Sequence, residues 1–251
     1  MIYGLYQSAA GMMVNEYKQD VLSNNMANAD TIGFKRDLTV FAERIPAAMA
    51  RLREGETPDI LSALTGGVWL GQTATDFSEG PHQFTDNPLD AALDGPGFFA
   101  VAGPDGEPQF TRDGRFMVNV AGQLVSANDG APALGIGGGP IFANPQGGRV
   151  EFDQFGRVLQ KNNVIGQLWL ADFADYSRLQ KAGDQRFAAV GMEPGAASAR
   201  LQPRYIEGSS VQAVPNLTEM MLSSRAYQLN ARMIQIQDES AARMIGFVAR
   251  A

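Results

Sequence analysis

The sequence predicts an α+β fold: long N- and C-terminal helices pairing as a coiled-coil-like stalk, with a central, mostly antiparallel β domain. Three observations lead there. Apolar residues near both ends recur by alternating threes and fours, the period of a helix with a buried seam. The 28 glycines and 13 prolines concentrate between Thr57 and Pro215, where short apolar runs bounded by turn residues read as strands. The 251 residues are 45% hydrophobic, enough to bury a core in one large or two modest domains.

The chain divides on this reading into an N-terminal helix with a helix-end motif (1–36), a linker with a short helix (37–70), the central β domain (71–205) and a C-terminal helix packing with the first (206–251). In the opening helix Tyr3, Tyr6, Ala10, Met13, Tyr17, Asp20, Asn24 and Ala27 form the seam. Asn24, Asn25 and Asn28 are poor helix-interior residues unless their amides find partners, so they set register or end the helix. Gly33 suits the left-handed turn at a helix exit, and Phe34 follows as an apolar anchor beside Lys35 and Arg36. Between Leu38 and Ala63 only Phe41, Ile45, Met49 and Leu52 keep near-helical spacing, and Pro46 interrupts them.

From Gly66 the pattern becomes strand-like, with Val68, Leu70, Thr73, Thr75 and Phe77. Gly97–Val101 reads as a strand, Pro104-Asp105-Gly106 as a turn and Gln109–Thr111 as the returning strand. Asp113-Gly114 then reads as a turn into Arg115–Asn119, because Asp-Gly tolerates positive φ. Further strand candidates are Gly122–Val125, Val150–Phe152, Val158-Leu159, Val164–Phe173 and Asp184–Val190.

The closing helix is marked at its start by Pro215 and by Asn216 three residues before Glu219, a pair resembling a capping box. Its seam runs through Leu217, Met220, Ser224, Tyr227, Ala231, Ile234, Asp238, Ala241, Ile245 and Val248. Leu222, Leu229, Met233, Ile236, Met244 and Phe247 form a second apolar set beside it. That surface is wider than a two-stranded coiled coil needs, which favours a helix wedged among several others.

Composition narrows the chemistry. A net charge of -7 argues against a general phosphate-binding surface, hence against nucleic acid as a partner. No run reaches the roughly 18–20 apolar residues of a bilayer span. No basic segment precedes an apolar one near Met1, so no cleaved secretion signal is expected. With no cysteine and His82 alone, a histidine-rich metal site or a Cys-His pair is out of reach. Asp105, Asp113, Asp129 and Asp153 are explained by turns, and Gly135–Gly139 leads into Pro140 rather than an anion-holding helix. No catalytic, cofactor-binding or metal-ligating residue is expected, and no cofactor.

Several motifs are shared with a known family. Asn24-Asn25-Met26-Ala27-Asn28, Thr31 and Gly33-Phe34-Lys35-Arg36 resemble the N-terminal signature of flagellar basal-body rod and hook proteins. Asn87-Pro88-Leu89-Asp90, Gly95, Gly97-Phe98-Phe99, Phe110–Gly114 and Gly122–Val125 resemble that family's central motifs. Ile206–Val211 is similar to the segment before its closing helix, with Ser210 where the family usually has Asn; Arg225-Ala226-Tyr227, Asn230 and Asp238-Glu239 resemble the helix itself. The likeness covers both ends and most of the middle, failing over about residues 38–65.

The resemblance implies an axial structural protein, not an enzyme. Its terminal helices would stack into an inner tube with the β domain outward, against other copies of itself and other rod and hook proteins. It also implies delivery by the flagellar type III export apparatus and residence in the part of the rod that crosses the periplasm. The short segment between Arg36 and Gly66 favours a proximal rod component, with a distal one as the competitor. The candidate assembly interface is Tyr6, Met13, Tyr17, Asn24, Asn25, Asn28, Gly33, Phe34, Leu217, Met220, Tyr227, Ala231, Ile234, Ala241 and Ile245. The alternative is a carbohydrate- or cell-wall-binding β module on a coiled-coil oligomerisation stalk, with Phe98, Phe99, Phe110, Phe116 and Trp169 as ligand platforms.

Overall fold

A computed structural model describes residues 2–43, 68–144 and 146–248. The chain divides into two compact units: residues 1–27, 37–74 and 212–251 form the first, and residues 28–36 and 75–211 the second. The segment 44–67, which holds most of the expected short helix, lies outside the described residues.

In the first unit, α1 spans Ile2–Ala27, β1 Asp37–Glu43, β2 Val68–Thr75 and α2 Ala213–Val248. Strands β1 and β2 pair with each other. The helices run antiparallel, since Gly4 faces Gln237, Gly11 faces Asn230, and Asn216 donates to the Leu22 carbonyl. At about 1.5 Å per residue α2 is roughly 54 Å long and α1 roughly 39 Å, from 36 and 26 residues. Beyond Gln237, α2 therefore outruns its partner.

The expected coiled-coil-like stalk is not what this pair forms. A coiled coil needs large apolar knobs on the line of contact, yet Tyr6 is 69%, Met13 71% and Leu217 45% exposed. The contact line is shifted round α1, to Gly4, Ser8, Gly11, Asn15 and Leu22, and it meets Asn216, Ser223, Asn230 and Gln237 of α2. Glycines and side-chain amides replace the knobs. The capping-box reading fails with it: α2 begins at Ala213, so Asn216 lies inside its first turn and spends its side-chain amide on α1.

The second unit holds β3 (His82–Phe84), β4 (Ala91–Asp94), β5 (Phe98–Ala102), β6 (Pro108–Thr111), β7 (Phe116–Val118), β8 (Leu124–Ser126), β9 (Val150–Phe152) and β10 (Arg157–Gln160). It continues with β11 (Asn163–Gln167), β12 (Leu170–Asp172), β13 (Leu179–Gly183), β14 (Arg186–Ala189), β15 (Gly195–Ala196), β16 (Arg200–Pro203) and β17 (Tyr205–Glu207). The main sheet has the order β13-β14-β6-β5-β12-β15, and every pairing in it is antiparallel. The expected hairpin around Pro104-Asp105-Gly106 is β5–β6. Asp113-Gly114 does not make the next hairpin: β6 pairs with β14, and β7 turns to β8.

Alternation along β5 divides the core, because successive side chains of a strand point to opposite faces. Phe99 packs with Leu93, Phe116, Leu124 and Phe152 in one cluster, and Phe98 and Ala100 pack with Phe110, Phe173 and Phe187 in the other. Ring pairs in both meet edge to face, Phe99–Phe116 at 5.4 Å and Phe110–Phe173 at 4.8 Å between centroids. That arrangement suits the ring quadrupoles.

Candidate assembly surface and the chain junction

The sequence-derived interface residues occupy two environments. On α1, Tyr6, Met13 and Asn24 are exposed and Tyr17 is half-buried; on α2, Leu217 and Ile245 are exposed, while Met220, Tyr227, Ala231, Ile234 and Ala241 are half-buried. A second row on α2, through Leu222, Leu229, Met233, Ile236 and Met244, is exposed throughout. These residues lie three, four, seven or eight positions apart, so they share one side of the helix.

The asparagines of the helix-end motif have local partners. The Asn25 side chain is buried and holds β1 by two bonds, Nδ2 donating to the Asp37 carbonyl at 2.8 Å and Oδ1 accepting from the Asp37 amide at 2.9 Å. Asn28 accepts from the Thr31 hydroxyl and amide, both at 3.2 Å. This turn opens the second unit, where Gly33 has φ +69° and Phe34 is buried. A Cβ on Gly33 would lie 2.5 Å from the Asp113 amide nitrogen, so this glycine is required twice, for its φ and for close backbone approach.

Immediately beyond Phe34 lies an arrangement that sequence reading did not assemble. Lys35 Nζ donates to Glu207 Oε1 at 2.6 Å and to the Ser78 carbonyl at 2.7 Å, with the Lys35 and Glu207 side chains 0% and 1% exposed. Arg112 Nη1 donates to Glu207 Oε2 at 3.1 Å, and its guanidinium stacks on the Phe98 ring at 5.3 Å. Gly80 brings its amide to Glu207 Oε1 at 2.9 Å; a Cβ there would run into the Gly208 carbonyl. Two cations thus share one buried carboxylate. Burial is the largest influence on Lys35 and pushes its pKa below 10.5, although Glu207 pulls the other way.

At the edge of this cluster Arg36 pairs with Asp76 at 2.8 Å. Burial raises the Asp76 pKa, but the Ser78 amide and the Arg36 guanidinium outweigh it and hold the carboxyl below its usual value. Little in the sequence marked the buried triad: only Glu207 stands among small and apolar residues, whereas Lys35 is followed by Arg36 and Asp37 and Arg112 by Asp113. Linear distance hid the connection, since Lys35 and Glu207 are 172 positions apart.

The candidates for other chemistry have structural employment. Phe98, Phe99, Phe110 and Phe116 are at most 2% exposed, and Trp169 is half-buried against the second core cluster, so they are core and not glycan platforms. Asp113, Asp129 and Asp153 accept backbone amides two residues on. His82 stands in β3, not a turn, with Nδ1 3.1 Å from Gln202 Oε1. Among the described residues no helix is long and apolar enough to cross a membrane.

Three family models match in chain order. Residues 5–35 match flagella basal body rod protein, residues 92–158 the flagellar hook protein FlgE/F/G D1 domain, and residues 202–246 the flagellar basal body rod FlgEFG protein C-terminal region. The chain is 32% identical to the flagellar basal-body rod protein FlgG of Buchnera aphidicola subsp. Schizaphis graminum, over 95% of this chain and 97% of that protein. The chain belongs to the flagellar basal-body rod protein family. It is also 35% identical to the rod protein FlgF of Caulobacter vibrioides, over 92% of this chain and 91% of that one. To FlgG of Bacillus subtilis it is 29% identical, over 95% and 96%. It is a structural rod subunit of the flagellar basal body, and Lys35, Arg112 and Glu207 fall inside the three matched segments.

Proposed function

We propose that this rod subunit assembles through the exposed apolar rows of its two helices, against other copies of itself and other axial proteins. The supporting observation is the inversion of α2: its row toward α1 carries amides and Ser223, while Leu222, Leu229, Met233 and Met244 are exposed. Apolar surface of that extent is stabilised when neighbours cover it, at about 25 cal/mol per Å². From the sequence-derived set, Tyr6 and Met13 of α1 and Leu217 and Ile245 of α2 are exposed as well, the latter two on other sides of α2. A helical assembly built this way carries torque by packing alone, with no bond made or broken.

The finer parts of the reading are delivery by the flagellar type III export apparatus and a proximal place in the rod. The short segment between Arg36 and Gly66 supports the latter.

The test is Leu229→Asp. An exposed carboxylate on a lone helix costs little, but one enclosed by neighbours is an unpaired buried charge. The purified variant should melt as the parent does, yet rods should not form and cells should not swim. Normal motility would refute the role of this row. Ile234→Asp is the contrast, because Ile234 is half-buried within its own chain and the variant should already lower melting of the isolated protein.

A further inference from the structure

The chain passes between the two units four times, after residues 27, 36, 74 and 211. Inside the second unit, the segments adjoining all four crossings are joined to one another. Arg36 and Asp76 link the second and third crossings through their ion pair at 2.8 Å and through the Asp76 amide, which donates to the Arg36 carbonyl at 2.9 Å. The fourth crossing is tied to the first two by Gly33 N–H on the Glu207 carbonyl at 2.8 Å, Ser210 N–H on the Phe34 carbonyl at 3.0 Å and Arg36 N–H on Ser210 Oγ at 2.9 Å. Lys35 then reaches both Ser78 and Glu207, and Arg112 fastens Glu207 to the sheet.

We propose that this network is a mechanical clamp, in which a load entering along any one crossing is shared by all four through the buried carboxylate of Glu207. Backbone hydrogen bonds loaded singly break one after another. Here Lys35, Gly80 and Arg112 converge on two oxygens of one side chain, so pulling any segment away leaves charges bare where water cannot reach them. The crossings open together or not at all. The β core is thereby protected from being peeled from its ends.

The clamp is a property of the single chain and is tested apart from assembly. The sequence has no cysteine, so Ala29→Cys and Gln212→Cys place two unique pulling handles on the full-length protein. Held at constant force in optical tweezers, the parent should open in one step. Glu207→Gln should shorten the lifetime of the closed state roughly 100- to 1,000-fold or more, the factor expected when a buried pair loses one partner. Arg36→Gln acts at the exposed edge of the clamp, leaves the triad intact, and should shorten the lifetime by less but measurably; it decides the matter if Glu207→Gln does not fold. Val158→Ala, in the fully buried core of β10, should lower the melting temperature without shortening that lifetime. An unchanged lifetime in Arg36→Gln would overturn the clamp. So would a lifetime in Val158→Ala that falls in proportion to its melting temperature, because the network would then add stability without bearing load.

Discussion

The helix pair and the β unit both hold together segments far apart in sequence, and they do so with opposite chemistry. In the helix pair, small and polar groups line the contact: Gly4 and Gly11 leave room for Gln237 and Asn230, and Ser223 Oγ donates to the Asn15 carbonyl at 2.8 Å. Each bond of this kind adds about 0.5–1.5 kcal/mol net, and the half-exposed Lys18–Glu219 pair at 3.4 Å adds at most about 1 kcal/mol. In the β unit, phenylalanines are buried on both faces of β5 and charges are enclosed at the junction. Burying one such side chain stabilises by about 1.5–3 kcal/mol. The difference teaches where each part expects its partners: the β unit is finished within one chain, whereas the helices bring their largest apolar residues to the outside.

The comparison is broken most severely at Glu207. Glu207→Gln leaves Lys35 and Arg112 sharing a neutral amide in a buried site, and should cost about 3–5 kcal/mol in denaturant unfolding of the full chain. A loss below about 1 kcal/mol, typical of an exposed pair, would show that water reaches the triad. Gly33→Val comes next. A β-branched residue at φ +69° should cost on the order of 1–3 kcal/mol for conformation alone, and the collision with the Asp113 amide adds to it. Restoring stability by shortening the side chain to alanine would contradict the φ requirement, since alanine suffers there too.

A pH series sharpens the view of the buried charges. The folded pKa of Lys35 lies below its unfolded value of 10.5. Between those two values the unfolded chain holds a proton that the folded chain has released, so this group's contribution to stability rises with pH in that window. At lower pH both states are protonated and the penalty for burying the ammonium is present in full. Measured against Lys35→Met, the parent should therefore gain relative stability as pH rises from the lowered folded pKa toward 10.5. A flat difference would mean that Glu207 keeps the ammonium charged throughout.

The smallest effect is expected in the helix pair. Gly11→Ala places a Cβ 2.8 Å from Asn230 Nδ2, but that atom ends a flexible side chain and can move. Alanine also favours a helix interior by about 1 kcal/mol over glycine. The two influences should nearly cancel in thermal melting of the isolated chain. A loss above about 2 kcal/mol would place the helix pair on the same footing as the packed β core, with a jigsaw fit of its own.

Much of this architecture was legible in the order of residues. The 3.6-residue period marks both helices as helices, but it does not mark the side on which they meet, which carries Gly4, Gly11, Ser223 and side-chain amides. Turn chemistry at Pro104-Asp105-Gly106 marks the β5–β6 hairpin, since Gly106 takes φ +81° there. The motifs at both ends and in the middle sufficed to identify the family. What failed was partner assignment. Asp113-Gly114 has the composition of a hairpin turn, yet the Asp113 carboxylate is engaged by Arg115 and the strands on either side find other neighbours. Asn216 has the spacing of a cap, yet it reaches across to α1.

By itself, then, the sequence determined that both ends are helical, that the chain carries a β core between them, and to which family it belongs. These properties depend on neighbours within a few residues, or on motifs that can be read singly. Sequence alone nonetheless placed residues 37–43, which form β1, at the start of a linker with a short helix, and His82, which opens β3, in a turn. Tertiary structure alone decided which side of each helix meets the other and which charges meet in the interior. The apolar seam of α1 pointed to Tyr6 and Met13, but Gly4 and Gly11 permit closer approach, and the same seven-residue spacing recurs in Asn230 and Gln237. Likewise Lys35, Arg112 and Glu207 are ordinary charged residues along the chain. They become a buried triad only when folding brings them within hydrogen-bonding distance and removes the water that would otherwise keep them apart.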